Sequence, residues 1–164
     1  MIINTRPKNL SGNLISLCEA QEIALKNIYL SKINSIDPSK IAIDKIKNIH
    51  SYSNLIFTSQ AAASFGLDIL KSFFDLDDLP HNFLSVGPAT SNKLLESGIK
   101  SHFPQSHSSE GILKLIENNF LGKSLLFCGE NSNGFLQQKL KASLDEIVCY
   151  EVIYLLEQIP KVTD

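Results

Sequence analysis

The chain is 164 residues long, 43% apolar and 20% charged, with a formal net charge of -2. That length holds one full domain, or one domain and part of another, and the composition excludes wholesale disorder. The near-neutral balance offers no basic face for nucleic acid or an anionic membrane, so neither is expected as a partner.

In chain order, Met1–Thr5 reads as a buried strand and Leu10–Ala20 as a helix with Leu14, Leu17 and Cys18 on one face. Ile23–Tyr29 alternates like a second strand, and residues 33–38 read as a connection. Asp37-Pro38 is expected to open a helix, with Asp37 as N-cap and Pro38 first in the helix. Residues 54–58 form a strand, and Ser59 can cap the helix after it. Phe83–Val86 is a strand, Gly87-Pro88 starts a helix, and Gly98 stops it. Strand Ile99–Phe103 follows, then a helix capped by Ser108 or Ser109 and running to Asn119. Ser124–Cys128 is a strand, Ser132–Ser143 a helix and Glu146–Tyr154 a long last strand. Strands alternating with helices predict an α/β fold: a parallel sheet with helices on both faces.

In such sheets ligands bind beyond the carboxyl ends of the strands. Four segments belong there: Thr58-Ser59-Gln60, Val86 to Thr90, Ser108 to Gly111, and Gly129 to Gly134. Each joins small residues to the start of a helix, so each offers free backbone N–H groups and a positive dipole end. Plain helix capping would require the same residues.

Other chemistry is excluded by spacing. Gly122-Lys123-Ser124 resembles the end of a P-loop, but Glu117 stands where the first glycine belongs and a strand follows. No GxGxxG follows a strand and no GxSxG elbow occurs. His50, His81, His102 and His107 lack metal-ligand spacing, so no metal is expected. Cys18, Cys128 and Cys149 form no CxxC pair and are odd in number, which favours buried thiols in a reducing, cytoplasmic setting. The N-terminus has no signal-peptide pattern and no apolar run approaches a membrane span. Arg6 is the single arginine among 15 basic residues. Its planar fork suits carboxylates in a way that lysine does not.

Six segments together resemble the uroporphyrinogen-III synthase family. Thr5-Arg6-Pro7 is similar to the family's "TRP" start, and Phe57-Thr58-Ser59 to its "FTS" segment. Ser85 to Thr90, with Leu94, Leu95 and Gly98, resembles "VG-x-A-T…L…G". Pro104 with Ser109-Glu110-Gly111 resembles "P…SEGL"; Leu125 to Gly129 resembles "LLxRG"; Val148 to Val152 resembles the "VxYxx" strand. The order and spacing match across the whole chain.

The resemblance implies two flavodoxin-like α/β domains joined by a two-stranded hinge, the first domain discontinuous. On that pattern residues 1–34 are a β-α-β piece of the outer domain, 35–154 the inner domain, and 155–164 the hinge strand returning outward. It implies a lyase of porphyrin and haem biosynthesis. Such an enzyme closes hydroxymethylbilane, a linear tetrapyrrole with eight carboxylates, to uroporphyrinogen III while inverting the last ring. The family uses no cofactor. The reaction runs through loss of the terminal hydroxyl, an azafulvenium cation and a spiro intermediate. By motif position Tyr150 assists departure of the hydroxyl, with Tyr154 as the alternative. Arg6, Thr58, Ser59, Gly87, Thr90, Ser109 and Gly129 are the expected substrate contacts.

The chain departs from the family pattern where Cys128 and Asn133 stand in place of arginines. It also stops after the return crossing, so the pattern implies a missing C-terminal half, weak tetrapyrrole binding and little or no activity alone. A non-enzymatic anion-binding module and a degenerate synthase-like domain are the competing readings.

Overall fold

The computed structural model describes residues 1–159. It divides into two compact units, residues 1–34 with 151–159, and residues 35–150.

The first unit holds strand β1 (Ile2–Asn4), helix α1 (Gly12–Ala20) and strand β2 (Leu25–Asn27), with β1 and β2 paired in parallel. Asn4 is buried and its amide donates to the Asn27 side chain across the pair at 2.8 Å. Strand β3 (Ser31–Ser35) leads out of this unit. Residues 33–38 were expected to be a connection. Residues 33–35 instead belong to β3, in which Ile33 is the single apolar residue.

The second unit contains α2 (Lys40–Lys47), β4 (Asn54–Phe57), α3 (Gln60–Lys71), β5 (Asn82–Ser85), α4 (Pro88–Leu95), α5 (Ser109–Asn119), β6 (Ser124–Gly129), α6 (Phe135–Lys139) and most of β7 (Leu144–Tyr154). The strand order is β3-β7-β6-β4-β5. β4, β5, β6 and β7 are mutually parallel. Counted within the unit they lie in the order 2-1-3-4, as in the flavodoxin arrangement, with a switch point between β4 and β6.

Two fully buried layers explain the stacking. Phe57, Leu55, Phe127, Leu125 and Ile147 share one sheet face with Ile46 of α2, Leu67 and Leu70 of α3, and Leu94 of α4. Ile56, Leu126 and Cys128 face the other way, against Ile112, Ile116 and Leu136. β4 and β6 are buried at every residue, as central strands covered on both faces must be.

Four further sequence expectations are corrected. The sheet is not wholly parallel. The Ile36 amide donates to the Cys149 carbonyl at 3.0 Å, and the Leu155 amide to the Leu30 carbonyl at 2.8 Å, so β3 and β7 run in opposite senses. One strand leaves the first unit and the other returns to it, which sets those directions. Ser39, not Asp37, caps α2, accepting from the Ala42 amide at 3.2 Å. Residues 99–103 make one bridge, Leu84 to His102, instead of a strand. The helix expected over 132–143 shortens to α6, because Gly134 takes the left-handed conformation just before it (φ 69°).

Gly66 fixes how close α3 lies to the sheet. A Cβ there would lie 2.8 Å from Phe127 and 3.0 Å from Phe57, whose rings stack at 4.8 Å. Gly66→Val is expected to destabilise the fold by about 2 kcal/mol through overpacking, measured by urea denaturation. An unchanged midpoint would show that α3 can lift off the phenylalanine pair.

At the amino ends of the strands, Tyr52 donates to Asp145 at 2.8 Å while Lys123 pairs with the same carboxylate oxygen at 2.7 Å. Lys123 holds Asp145 below the usual carboxylate range. Burial, then Asp145, push the Tyr52 phenol above its ordinary value. A depressed carboxylate stabilises the fold above its unfolded pKa and loses that contribution as pH falls below about 4. A raised phenol stabilises below its unfolded pKa, and its contribution falls away as pH rises beyond about 10. Tyr52→Phe should therefore cost about 1.5 kcal/mol at neutral pH, and that difference should shrink above pH 10, read by denaturation across a pH series.

Candidate functional site

Because β4, β5 and β6 are parallel and in register, their carboxyl ends are level: Phe57 pairs with both Ser85 and Phe127. The loops that follow therefore leave from one edge. At Thr58 the backbone amide donates to the Phe127 carbonyl at 3.3 Å, and the Val86 amide to the Phe57 carbonyl at 3.2 Å. A Cβ on Gly87 would sit 3.4 Å from His107 Cβ, which places the turn before α5 beside the start of α4. The four segments expected at the strand ends are thus gathered on one side of the second unit.

Three helices of useful length begin at that edge. α3 is capped by Ser59, which accepts from the Ala62 amide at 3.0 Å. α5 is capped by Ser108, which accepts from the Gly111 amide at 3.1 Å. α4 starts from Gly87 with Pro88 in its first turn. Their free N–H groups and dipoles supply positive potential without cationic side chains.

Tyr150 reaches the same edge because β7 is irregular there. Cys128 pairs with Val148, but the next pair is Gly129 with Tyr150, so Cys149 is an extra residue in the ladder. Such a bulge breaks the alternation of side chains. Val148 packs in the layer of α5 and α6, whereas Cys149 and Tyr150 both pack in the layer of α3. The Cys149 thiol turns inward toward the Cys128 carbonyl at 3.4 Å.

The Tyr150 ring then lies over Gly129 and beside Phe65, with ring centroids 6.3 Å apart. A Cβ on Gly129 would come within 2.6 Å of Tyr150 Cζ, so no larger residue fits below the ring. The phenol oxygen is 3.0 Å from Ser59 Oγ. The Glu130 amide donates to the Tyr150 carbonyl at 2.9 Å, which fixes the backbone as well.

The remaining expected contacts differ in availability. Thr58 Oγ1 donates its one proton to the Phe127 carbonyl at 3.3 Å. Thr90 is 6% exposed. Ser109 is half-buried in the first turn of α5. Arg6 belongs to the first unit and is exposed. Tyr154 is 68% exposed and lies beyond the second unit.

Sequence reasoning missed Cys149 and His107. Cys149 read as one more apolar residue in a strand; nothing in its type signals a bulge. His107 has φ 46° and packs its ring against Phe103 at 6.0 Å. Neither buried cysteine of this edge is a nucleophile at neutral pH. Burial raises the Cys128 thiol to about 11 and the Cys149 thiol to about 12. Among the described residues no cluster of His, Cys, Asp and Glu could hold a metal ion, and no helix is long and apolar enough to cross a membrane.

A uroporphyrinogen III synthase from the extremely thermophilic bacterium Thermus thermophilus (a mutant, in one crystal form) superposes with a TM-score of 0.66 at 14% identity, over 96% of this chain and 64% of that one. The wild-type Thermus thermophilus enzyme gives a TM-score of 0.58 at 15% identity, over 98% and 65%. A uroporphyrinogen-III synthetase from Helicobacter pylori 26695 gives 0.56 at 22% identity, over 83% and 61%. The chain therefore spans less than two thirds of the length of these proteins, and at such identities they establish a shared fold. A comparison with curated protein sequences finds no match. The family model for uroporphyrinogen-III synthase HemD matches residues 27–164, most of the chain. On that match, the chain belongs to the uroporphyrinogen-III synthase HemD family.

Proposed function

We propose that this protein closes hydroxymethylbilane to uroporphyrinogen III, with the carboxyl edge of the second unit as its substrate floor and Tyr150 as the group that assists loss of the hydroxyl. The observation that carries the reading is the placement of Tyr150. Its phenol stands over Gly129, 3.0 Å from Ser59 Oγ, on an edge where α3, α4 and α5 all begin.

The substrate explains why no conventional acid–base pair is needed. A linear tetrapyrrole carrying eight carboxylates cyclises unaided, but to the wrong isomer. The protein must hold the chain in one conformation, which is an orientation effect. Helix starts and hydroxyl-bearing caps bind carboxylates by charge-assisted hydrogen bonds and leave a protein of net charge -2 competent to do so. On this reading Ser109 and the amides after Gly87 and Ser108 hold substrate carboxylates. Thr58 contributes its position in the turn, since its hydroxyl proton is already given to Phe127. Thr90 is buried in the first turn of α4.

The chemical step needs one proton. As the terminal C–O bond breaks, its electron pair leaves with oxygen, and the Tyr150 proton completes a molecule of water. The pyrrole nitrogen lone pair fills the resulting gap, giving the azafulvenium cation. Ring carbon attack forms the spiro intermediate, which opens and recloses with the last ring inverted. Loss of a proton from the final ring carbon returns the phenol. We further propose that residues 1–34 are a piece of the outer domain of the family pattern, 35–154 its inner domain, and the segment from Leu155 the return toward the outer domain.

Supplied with hydroxymethylbilane, the chain is expected to yield uroporphyrinogen III in excess of the isomer I formed by uncatalysed closure, even if slowly. Tyr150→Phe should cut that rate by about 100-fold with substrate affinity altered by less than about threefold. Gly129→Ala, which displaces the ring, should behave like it. Isomer I alone at the uncatalysed rate, with titration showing inorganic phosphate bound as well as the tetrapyrrole, would replace this reading with a simple anion-binding module.

A further inference from the structure

We infer that Ser59 is a positioning residue for Tyr150: it gives its hydroxyl proton to the phenol oxygen and so leaves the phenol proton directed outward, to the substrate. The inference rests on the reading of Tyr150 above and adds a second residue to it.

A hydrogen-bond count supports the assignment. Ser59 Oγ has one proton and two lone pairs. One lone pair accepts the Ala62 amide at 3.0 Å, which is the helix cap. The neighbour at 3.0 Å is Tyr150 Oη, and geometry alone allows either oxygen to donate. If Tyr150 donated, its only proton would face the cap. If Ser59 donates, the bonds run head to tail from the Ala62 N–H through Ser59 O–H to Tyr150 Oη. An oxygen that accepts a bond becomes a better donor in the next one. That direction also suits the reaction. When the phenol gives up its proton, negative charge grows on Oη, and the relay connects that charge to the positive end of α3.

The rest of the cradle has no other role for Ser59 to fill. Gly129 limits the ring from below, Phe65 from the side, and the bulge at Cys149 sets the height of the backbone. These contacts fix the ring and leave the hydroxyl hydrogen free to rotate. A serine in contact with Oη is what removes that freedom. This also separates Ser59 from the carboxylate contacts with which its motif groups it, since its proton and one lone pair are already engaged.

Two measurements on the full chain test it. The tyrosine Raman doublet reports whether a phenol accepts or donates a hydrogen bond, and subtracting the spectrum of Tyr150→Phe isolates Tyr150. The free protein should show Tyr150 as an acceptor; Ser59→Ala should abolish that signature, and Ser59→Thr, which keeps the hydroxyl, should restore it. A Tyr150 signature that Ser59→Ala leaves unchanged overturns the inference whatever the activity. The second measurement is a double-mutant cycle on turnover. Ser59→Ala should lower kcat roughly tenfold with KM little altered, but change it less than about twofold in the Tyr150→Phe background. Loss of the helix cap affects both backgrounds alike and cancels. Equal losses in the two backgrounds would make Ser59 a structural cap and overturn its positioning role. A normal Raman response with no turnover by the unaltered chain would instead defeat the catalytic reading of Tyr150 and leave the hydrogen bond standing.

Discussion

One extra residue in β7 governs the candidate site. Without Cys149 out of register, regular pairing would continue from Cys128–Val148, and Tyr150 would stand on the face of α5 and α6. The bulge costs a ladder position. That cost is offset by burying the Cys149 side chain completely and by the Ile36 amide, which bonds its carbonyl from the opposite edge. Tyr150 is then aimed by the backbone itself. The last adjustment comes from the missing side chain of Gly129 and from Phe65 and Ser59.

The same constraint reaches into the core. α3 carries both the Ser59 cap and Phe65, so the site depends on where α3 lies. That position is set by Gly66 against the stacked pair Phe57 and Phe127. Those phenylalanines belong to β4 and β6, the two strands whose ends form the floor. The aromatic stack, the missing side chain at Gly66 and the phenol above Gly129 are thus successive layers of one packing problem. The cluster of Tyr52, Asp145 and Lys123 lies at the amino ends of these strands, in a different part of the unit. A change there acts on stability without touching the groups around Tyr150.

Much of this was legible in the sequence. The fully apolar runs Leu55-Ile56-Phe57 and Leu125-Leu126-Phe127 read as strands, and Ser59, Gly87-Pro88 and Ser108 are strong helix starts. What the pattern could not give were features decided by tertiary contact. β3 looks like a loop because it is short, has Ile33 as its single apolar residue, and is stabilised by pairing with β7. Residues 99–103 have strand composition, but the chain holds only His102 against Leu84. The bulge left no trace, because Val148-Cys149-Tyr150 has the same composition as a regular strand. Motif position pointed to Tyr150, and the register of β6 with β7 accounts for why it faces Ser59.

The electrostatic balance follows from these placements. A cationic floor would bind any polyanion tightly and in many poses, whereas the task proposed here demands one pose. Backbone amides at helix starts act over short range and along fixed directions, so they reward a carboxylate only in the right place. They also do not move when the substrate changes shape. Lysine can follow a carboxylate to several positions, because it is a charge on a long stem. A chain with a single arginine and a weakly acidic balance is therefore suited to this function through geometry. Selectivity for the inverted ring would come from how many carboxylates can be matched at once, and the Tyr150 proton would act only on a substrate already folded to fit.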